Sequence, residues 1–452
     1  MKGFNLKKIC DIVSGTLINA RDTDAEAGRI VIDTREIRKN DIFAAFRGEK
    51  VDGHDFVNSA FSSGAICCIV DHVPEKAEGA LILVSSVQNA VERIAQEYRN
   101  SISVPVIGIT GSNGKTTAKE MIYAVLSQKY SVLKTDKNLN NQIGVPMTVS
   151  SICDNHSAAV IEMGISKKGD MDLLGRIVRP DIAVFTNIGH AHLEFLDNLQ
   201  GVYSEKTKLL KYMDRSKLVI VNGDDRLLNQ IDCEQKVIRY GLGDHCDVKA
   251  YDITVAEDSG LLSFTLDCFG ENVKMNAPAF GKHIIYAVLE AAAAGWSMGM
   301  SLHDIAAGIA KYQVVGSRSS IIRTDCLTVI DDCYNANPDS VKNAVDSMML
   351  LKGRHVCILG DMLELGNDKE ELHYIVGKYA AENGCDRVIA CGPVSSYIVQ
   401  GAGKAGVYCE NLDELSACLS DELKKDDIVL VKASRSMHFE RVTEVLKTLH
   451  LH

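Results

Sequence analysis

The chain has 452 residues, 46% hydrophobic and 24% charged, a balance that is ordinary for a soluble globular protein. At roughly 150 residues per domain, this length predicts about three domains. The formal net charge of −11 argues against a non-specific nucleic-acid binder, so an anionic ligand would have to be held by local cations and backbone N–H groups.

The N-terminal stretch "MKGFNLKKICDIVSG" lacks an apolar core of signal-peptide length. No later run approaches the roughly 18 apolar residues that span a bilayer. The 14 cysteines are scattered without a C-x-x-C pair, which favours reduced thiols over a disulfide framework or a structural zinc site. We therefore expect a cytoplasmic protein without a membrane span.

Three segments follow one another along the chain. Residues 1–100 contain short strands and a helical stretch near Val87–Arg99, and Ser101–Pro105 reads as a linker. From there, strand-like runs alternate with helical patterns ("VPVIGIT", "AAVIEMG", "DIAVFTNIG", "KLVIVNGDD"), which indicates βαβ units and a mostly parallel sheet. An alanine-rich helical segment, His283–Gly295, precedes a second hinge near Val314–Ser317.

The same alternation resumes after this hinge in "LTVIDDCYNANP", "HVCILGDM", "DRVIACG" and "DIVLVKAS". The sequence therefore predicts an α/β protein with three domains, at residues 1–100, 101–314 and 315–452. The central domain should hold a phosphate-loop type of parallel sheet, and the last should be Rossmann-like.

The stretch "VIGITGSNGKTT" joins a predicted strand to a predicted helix, as a phosphate-binding loop does. Its spacing departs from G-x-x-x-x-G-K-[ST], because Ile109 stands where the first glycine is usual. Lys115 would reach the outer phosphates and Thr116 would offer a hydroxyl to Mg²⁺. The alternative is an ordinary glycine-rich turn. The predicted nucleotide-binding loop comprises Gly111, Ser112, Asn113, Gly114, Lys115, Thr116 and Thr117.

Two later strand ends carry candidate metal ligands. Glu162 ends the strand "AAVIE", where a carboxylate can hold the Mg²⁺ that a phosphate loop presents, although an exposed glutamate would look the same. "TNIGHAHLEFL" brings Asn187, His190 and His192 to the end of the next strand. The H-x-H pair suggests zinc, but no third soft ligand lies nearby in sequence, and His190 is given no role.

Polar residues also follow two strands of the last segment. "IDDCYNANPDS" places Asp332, Asn335 and Asn337 at a strand end, with Pro338 opening a helix, and "LVKASRSM" supplies Lys432 and Arg435. Ordinary turn chemistry would produce the same residue types. Together with the phosphate loop, however, these strand ends suggest a cleft that closes over a ligand.

Taken together, these motifs resemble the Mur ligases, ATP-dependent amide-forming enzymes of peptidoglycan precursor synthesis. The resemblance covers essentially the whole chain, with "TGSNGKTT", "NLNNQIGVP", "VIEMG", "AHLEF", "YNANPDS", "GDMLELG" and "VKASRS" in family order. "YNANPDS" with "GDMLELG" is similar to the branch that joins D-alanyl-D-alanine to a UDP-N-acetylmuramoyl tripeptide. The resemblance implies small-molecule substrates, no nucleic acid, and a monomer using ATP and two Mg²⁺ ions.

The resemblance also implies roles for individual residues. Lys115 would contact the transferring phosphate, Thr116 and Glu162 would bind the first Mg²⁺, and His192 the second. Lys206 aligns with the lysine that this family carbamylates into a metal ligand, a role that its own sequence context does not suggest. The nucleotide would also meet Asn187, His283, Arg318, Asp332, Asn335 and Asn337. The UDP-linked substrate and the dipeptide would meet Thr34, Arg35, Arg47, His54, Asn138, Asn140, Asn141, Lys432 and Arg435.

The chain departs from the family pattern on the adenine side. The family reads G-x-H-N-x-x-N-A where this chain has "GKHIIYAV", so Ile284 and Ala287 replace two asparagines and adenine would be held by shape or other polar groups. Ser317 and Ala433 stand where glycine is usual. Two alternatives therefore remain beside the active ligase: a ligase for a different amine or acyl substrate, and a nucleotide-binding protein that has lost turnover.

Overall fold

A computed structural model describes residues 1–256, 260–316 and 318–451, and its strands form three separate sheets. Ser317, part of the predicted second hinge, lies outside the described residues. Helices pack on all three sheets, and parallel strand pairs predominate, which confirms the predicted α/β class. Within the described ranges, no helix combines the length and the apolar character needed to cross a bilayer.

The first sheet has five strands: β1 (Thr16–Ile18), β2 (Ile30–Val31), β3 (Ile42–Ala44), β4 (Cys67–Val70) and β5 (Ala80–Leu83). Their order is β1-β5-β4-β3-β2, with β1 antiparallel to β5 and the other pairs parallel. The helices are α1 (Leu6–Val13), α2 (Val57–Ser62) and α3 (Val87–Ser101), so the helix predicted near Val87–Arg99 is confirmed. Ser86 caps α3 by accepting the Asn89 N–H.

The second sheet has nine strands: β6 (Val106–Thr110), β7 (Val132–Lys134), β8 (Ala158–Glu162), β9 (Ile182–Phe185), β10 (Leu218–Asn222), β11 (Lys236–Gly241), β12 (Val248–Val255), β13 (Leu262–Cys268) and β14 (Glu271–Asn276). The order is β14-β13-β12-β11-β10-β9-β6-β8-β7. Its helices are α4 (Lys115–Leu126), α5 (Gly144–Ser150), α6 (Asp170–Val178), α7 (Leu193–Leu196), α8 (Leu199–Thr207), α9 (His283–Ser297) and α10 (Leu302–Ile309). The strands β12, β13 and β14 pair antiparallel, an extension that the sequence patterns did not predict.

The third sheet has six strands: β15 (Ser320–Arg323), β16 (Leu327–Asp331), β17 (His355–Gly360), β18 (Arg387–Cys391), β19 (Gly406–Cys409) and β20 (Asp427–Lys432). The order is β15-β16-β20-β17-β18-β19, and only β15 pairs antiparallel among these described strands. The helices are α11 (Pro338–Met348), α12 (Lys369–Glu382), α13 (Ser396–Ala402), α14 (Leu412–Glu422) and α15 (Glu440–Thr448). Pro338 opens α11, as predicted, and Asn337 and Ser340 add a capping box at its start.

The first two sheets share a hydrophobic core through α3, which packs against α5 and α6. Tyr98 and Arg99, both buried on α3, reinforce this junction. The Tyr98 hydroxyl donates to the Ile152 carbonyl at 2.5 Å, and the Arg99 guanidinium donates to the Val178 carbonyl at 2.8 Å and to Asp181 at 2.9 Å. The junction therefore combines apolar packing with satisfied buried polar groups.

The strand order of the second sheet determines where a ligand can bind. β6 lies between β8 and β9 and is parallel to both. The loop after β6 therefore emerges at the same edge as Glu162, the last residue of β8, and as the segment 186–192 that follows β9. Ligands in such sheets bind at the carboxyl ends of strands where the strand order reverses.

Candidate active site

The loop between β6 and α4 has the backbone of an anion site. At Gly111 an added Cβ would lie 1.8 Å from the Thr186 hydroxyl oxygen, so only glycine allows this approach. Gly114 has a φ of +82° and precedes the first residue of α4 without a side-chain cap. The N–H groups of the first turn of α4 therefore point out of the helix, where they can bind phosphate oxygens.

Ser112, Asn113 and Asn187 brace this loop against the segment that follows β9. The Ser112 N–H donates to the Asn187 carbonyl at 2.9 Å, and the Asn113 N–H donates to the Asn187 Oδ1 at 2.9 Å. The Asn187 amide in turn donates to the Asn113 carbonyl at 3.1 Å. Asn187 was predicted to bind the nucleotide, and its side chain here shapes the loop.

Two lysines converge on one carbonyl of the loop. Lys115 Nζ donates to the Gly111 carbonyl at 2.8 Å and to the Ser112 carbonyl at 3.2 Å, and Lys206 Nζ donates to the same Gly111 carbonyl at 2.9 Å. Lys206 is only 1% exposed, and burial together with the charge of Lys115 holds its pKa well below the ordinary value. Burial also lowers the pKa of Lys115, although Glu162 opposes that shift. The structure thus brings Lys206 to the phosphate loop, where only family resemblance had placed it.

Glu162 is the centre of a second group of polar contacts. Its buried carboxylate accepts the Thr116 hydroxyl at 3.0 Å and the Asn140 amide at 2.8 Å. Lys119 Nζ lies 3.7 Å from Glu162 Oε2 and 3.2 Å from Glu120 Oε1. Lys119 was not identified from the sequence. The signal was its spacing of four from Lys115 in "GKTTAK", which puts both lysines on one side of α4.

The histidines after β9 contact the third sheet's domain. His192, with a φ of +57°, bonds through Nδ1 to Glu364 Oε2 at 2.5 Å, and Glu364 belongs to "GDMLELG". The His190 N–H donates to Asp339 Oδ2 at 2.6 Å, and its ring Nδ1 lies 3.0 Å from the same oxygen. This hydrogen bond raises the pKa of His190. His190 had been given no role and proves to link two domains.

A third pair joins the phosphate loop itself to α11. The Asn337 amide donates to Asn113 Oδ1 at 2.8 Å, and the Asn113 amide donates back to Asn337 Oδ1 at 3.3 Å. We call the pairs Asn113–Asn337, His190–Asp339 and His192–Glu364 the domain clasp. The predicted approach of "YNANPDS" to the phosphate loop is therefore seen in side-chain contacts.

The buried Lys432 pairs with Asp332, which is partly exposed, beside the segment that follows β16. Lys432 Nζ donates to Asp332 Oδ2 at 2.6 Å and to the Asn335 carbonyl at 2.9 Å. Lys432 therefore orders the loop between β16 and α11. The guanidinium groups of Arg318 and Arg435 lie 3.8 Å and 5.9 Å from the centre of the Tyr334 ring. Two cations thus border this aromatic side chain.

On the adenine side, burial lowers the pKa of His283. Ile284 and Ala287 are buried in the core of the second sheet's domain. The two positions where the family has asparagine are therefore packed apolar sites in this chain.

Two of the residues predicted for the UDP-linked substrate lie close together in the first domain. Arg47 and His54 share a polar cluster at the carboxyl ends of β3 and β4: Arg47 contacts Asp71 at 3.2 Å, and His54 Nδ1 contacts Asp52 at 2.6 Å. His54 Nε2 accepts the Asp71 N–H at 3.2 Å, so both ring nitrogens are engaged within the protein.

The remaining substrate candidates include two with local structural contacts. The guanidinium of Arg35, beside Thr34, is held by Asp33 at 2.6 Å. Asn141 Oδ1 accepts the N–H groups of Ile143 and Gly144 at the start of α5, while Asn138 is exposed. Arg35 and Asn141 therefore have partners close by in sequence.

Comparison with known proteins assigns the chain to a family. Three family models match it in succession: Mur ligase family, catalytic domain (residues 27–109), Mur ligase middle domain (109–295) and Mur ligase, glutamate ligase domain (317–435). The UDP-N-acetylmuramoyl-tripeptide–D-alanyl-D-alanine ligase of Bacillus subtilis is 37% identical over 453 residues, 98% of each chain. The chain belongs to the Mur ligase family. The Escherichia coli enzyme of the same name is 32% identical over 454 residues, 99% of each chain.

Solved structures agree with this assignment. MurF from Acinetobacter baumannii superposes with a TM-score of 0.90 at 28% identity, covering 99% of both chains. MurF from Thermotoga maritima in complex with ADP superposes with a TM-score of 0.83 at 26% identity, covering 93% of this chain and 97% of the other. The predicted resemblance to Mur ligases and the predicted three-domain α/β fold are thus confirmed.

Proposed function

We propose that this Mur ligase joins D-alanyl-D-alanine to a UDP-N-acetylmuramoyl tripeptide at the expense of ATP, as a monomer in the cytoplasm. The observation that carries the proposal is the meeting of Lys115, Lys206 and the Thr116–Glu162 pair at a phosphate loop that the "YNANPDS" segment contacts directly. The names of the full-length relatives support the choice of substrates.

We assign one task to each domain. Residues 1–100 bind the UDP-linked substrate, residues 101–314 bind ATP, and residues 315–452 close on ATP and the dipeptide. The domain clasp supports this division, because it joins the phosphate loop and the segment after β9 to two loops of the last domain.

The chemistry follows from the weakness of a carboxylate as an acyl donor. The tripeptide carboxylate oxygen attacks the γ-phosphorus of ATP, giving an acyl phosphate and ADP. The dipeptide amine then attacks the acyl carbon, loses a proton, and phosphate departs from the tetrahedral intermediate as the amide forms. The bonds form and break between the substrates, without a covalent bond to the protein. The enzyme therefore acts by positioning the reactants and neutralising charge.

Lys115 and the N–H groups at the start of α4 are the phosphate ligands in this scheme. Lys115 already lies among backbone carbonyls in a half-buried site, so its ammonium meets a phosphate in low dielectric, where their attraction is strongest. Asn337, hydrogen-bonded to Asn113 of the same loop, brings the last domain against the nucleotide.

Mg²⁺ fits the donor set found beside the loop. The Thr116 hydroxyl and Glu162 carboxylate lie 3.0 Å apart, and both are the hard oxygen ligands that Mg²⁺ prefers. When bound, Mg²⁺ would neutralise charge on the phosphates. We assign His192 as a ligand of a second Mg²⁺ ion. To bind it through Nδ1, the His192 ring would have to give up its contact with Glu364.

Lys206 is suited to carbamylation. Its amine is buried and its pKa is depressed, which favours the neutral nucleophile that adds to CO₂, forming an N–C bond and releasing a proton. The product is an anion, which relieves the repulsion between Lys206 and Lys115. Incubation with ¹³C-bicarbonate should give one carbamate carbon signal that Lys206→Ala lacks, and an unchanged signal would refute the assignment.

Phosphate release tests the whole proposal. Release should require ATP, the UDP-linked tripeptide and D-alanyl-D-alanine together. The mass of the UDP-linked tripeptide should increase at the same time by that of one dipeptide minus water. Release with another amine would instead establish a different substrate. Tight binding of the UDP substrate without any ATP hydrolysis would favour a protein that has lost turnover. The buried apolar residues Ile284 and Ala287, in place of two asparagines, are the reason to test this alternative.

A further inference from the structure

Glu290 is a buried acid that the proposed mechanism does not use. It lies on α9 with 3% exposure, followed by four buried alanines, and its Oε1 is 2.6 Å from the Tyr240 hydroxyl. Tyr240, on β11, is fully buried. Burial raises the pKa of Glu290 to about 8, and the hydrogen bond with Tyr240 opposes this shift only in part.

The Tyr240 hydroxyl has one proton and three oxygen neighbours. Besides Glu290 Oε1, it lies 3.0 Å from the Thr186 carbonyl and 3.1 Å from the Phe185 carbonyl. An ionised Glu290 would take this proton, because a carboxylate is the strongest acceptor of the three. A neutral Glu290 donates to the Tyr240 oxygen, and the Tyr240 proton is then free for the Thr186 carbonyl.

The titratable groups that act on this pair are acids. Asp225, after β10, and Tyr286, on α9, both raise the pKa of Tyr240. The Asp225 carboxylate is already bonded to the N–H groups of Ile188, Leu227 and Leu228. Neither group supplies positive charge that would stabilise an ionised Glu290.

Thr186 connects this chain of hydrogen bonds to the phosphate loop. Its hydroxyl donates to the Asn113 carbonyl at 2.5 Å, and its side chain occupies the space that a Cβ on Gly111 would need. Its carbonyl also accepts the Asn222 amide at 3.1 Å. Thr186 therefore supports the loop, and the side chains of Tyr240 and Asn222 both bond to its carbonyl.

We propose that Glu290 is a positioning residue for the nucleotide: as a neutral acid it donates to Tyr240, which donates to the Thr186 carbonyl and so fixes the phosphate loop. This proposal rests on the proposed nucleotide site and goes beyond it, because Glu290 belongs to none of the assigned motifs. Its effect should be on nucleotide affinity, without a direct part in bond making.

Glu290→Gln separates the neutral acid from the carboxylate, because the amide can donate to Tyr240 and carries no charge. At pH 7, the wild type and Glu290→Gln should bind ADP–Mg²⁺ with affinities within about twofold, whereas Glu290→Ala and Tyr240→Phe should bind about five- to tenfold more weakly, the value of one net hydrogen bond. Between pH 7 and 9.5, wild-type affinity should fall toward that of Glu290→Ala, and the affinity of Glu290→Gln should stay level.

Thermal unfolding gives an independent test of the protonation state. Since the pKa of Glu290 in the folded protein lies above its ordinary value of 4.5, unfolding releases a proton between pH 4.5 and about 8. The stability of the wild type relative to Glu290→Gln should therefore fall as pH rises through this range and level off above it.

Parallel stability curves for the wild type and Glu290→Gln would overturn the neutral acid. Glu290→Gln binding ADP–Mg²⁺ as weakly as Glu290→Ala at pH 7 would overturn its positioning role. If the wild type itself fails to bind ADP–Mg²⁺, the proposed nucleotide site fails with it, and the stability curves still decide the protonation state.

Discussion

Asp339→Asn should weaken the contact between the central and last domains. The substitution keeps the size of the side chain but removes the charge that accepts from the His190 N–H at 2.6 Å and faces its ring at 3.0 Å. The contact is close because Gly189 has no Cβ; one there would lie 2.5 Å from Asp339 Oδ2. The His190–Asp339 contact therefore depends on glycine at position 189 as well as on the charge of Asp339.

A hydrogen bond to a charged group contributes about 1.5–3 kcal/mol. Both side chains are 32% exposed, so solvent screening reduces this to about 1–2 kcal/mol. The equilibrium between associated and separated domains should therefore shift roughly 5- to 30-fold toward separation.

Amide hydrogen exchange in segments 188–192 and 332–340 measures that shift, because both segments lie at the contact. Exchange there should accelerate by the same roughly 5- to 30-fold factor. Asp346→Asn is the matched control: Asp346 also lies on α11, but it bonds to Tyr379 within its own domain at 2.6 Å.

A double-mutant cycle with His190→Ala isolates the pair. A coupling energy below about 0.3 kcal/mol, or equal acceleration by Asp346→Asn, would show that the pair does not hold the domains together.

Three further changes test other contacts. Gly111→Ala, which forces a Cβ against Thr186, should weaken ADP binding at least about tenfold by calorimetry, whereas Gly299→Ala, with open space around its Cβ, should not; equal effects would refute the steric reasoning. Glu162→Gln should raise the Mg²⁺ concentration for half-maximal activity about tenfold, and an unchanged Mg²⁺ requirement would remove Glu162 from the metal site. Lys432→Met leaves Asp332, whose side chain is 14% exposed, without its cationic partner and should lower the free energy of unfolding by about 3 kcal/mol in urea titrations, while an unchanged midpoint would contradict this.

Local sequence patterns were sufficient to predict the strand and helices that form the phosphate loop and the start of α11. The strand before Gly111, the helix that begins at Lys115 and the Pro338 opening of α11 all follow from glycine, proline and apolar spacing. The position of Glu162 also followed, because parallel strands bring their carboxyl ends to one edge.

The pairs that hold the site together could not be found in this way. His190 and Asp339 are 149 residues apart, and His192 and Glu364 are 172 apart, so no local pattern connects them. Asn140 was predicted for the substrate, but its contact with Glu162 depends on how the 138–143 loop folds over β8. Likewise, the antiparallel β12–β14 extension depends on strand pairing, which apolar periodicity alone does not determine.

The segment 186–192 contacts the phosphate loop on one side and the domain clasp on the other. Thr186 and Asn187 hold the loop, while His190 and His192 hold Asp339 and Glu364. Thermodynamic linkage then requires reciprocity: the factor by which a bound nucleotide tightens domain association equals the factor by which association tightens nucleotide binding. Because one short segment contacts both sites, nucleotide binding and domain association are energetically coupled.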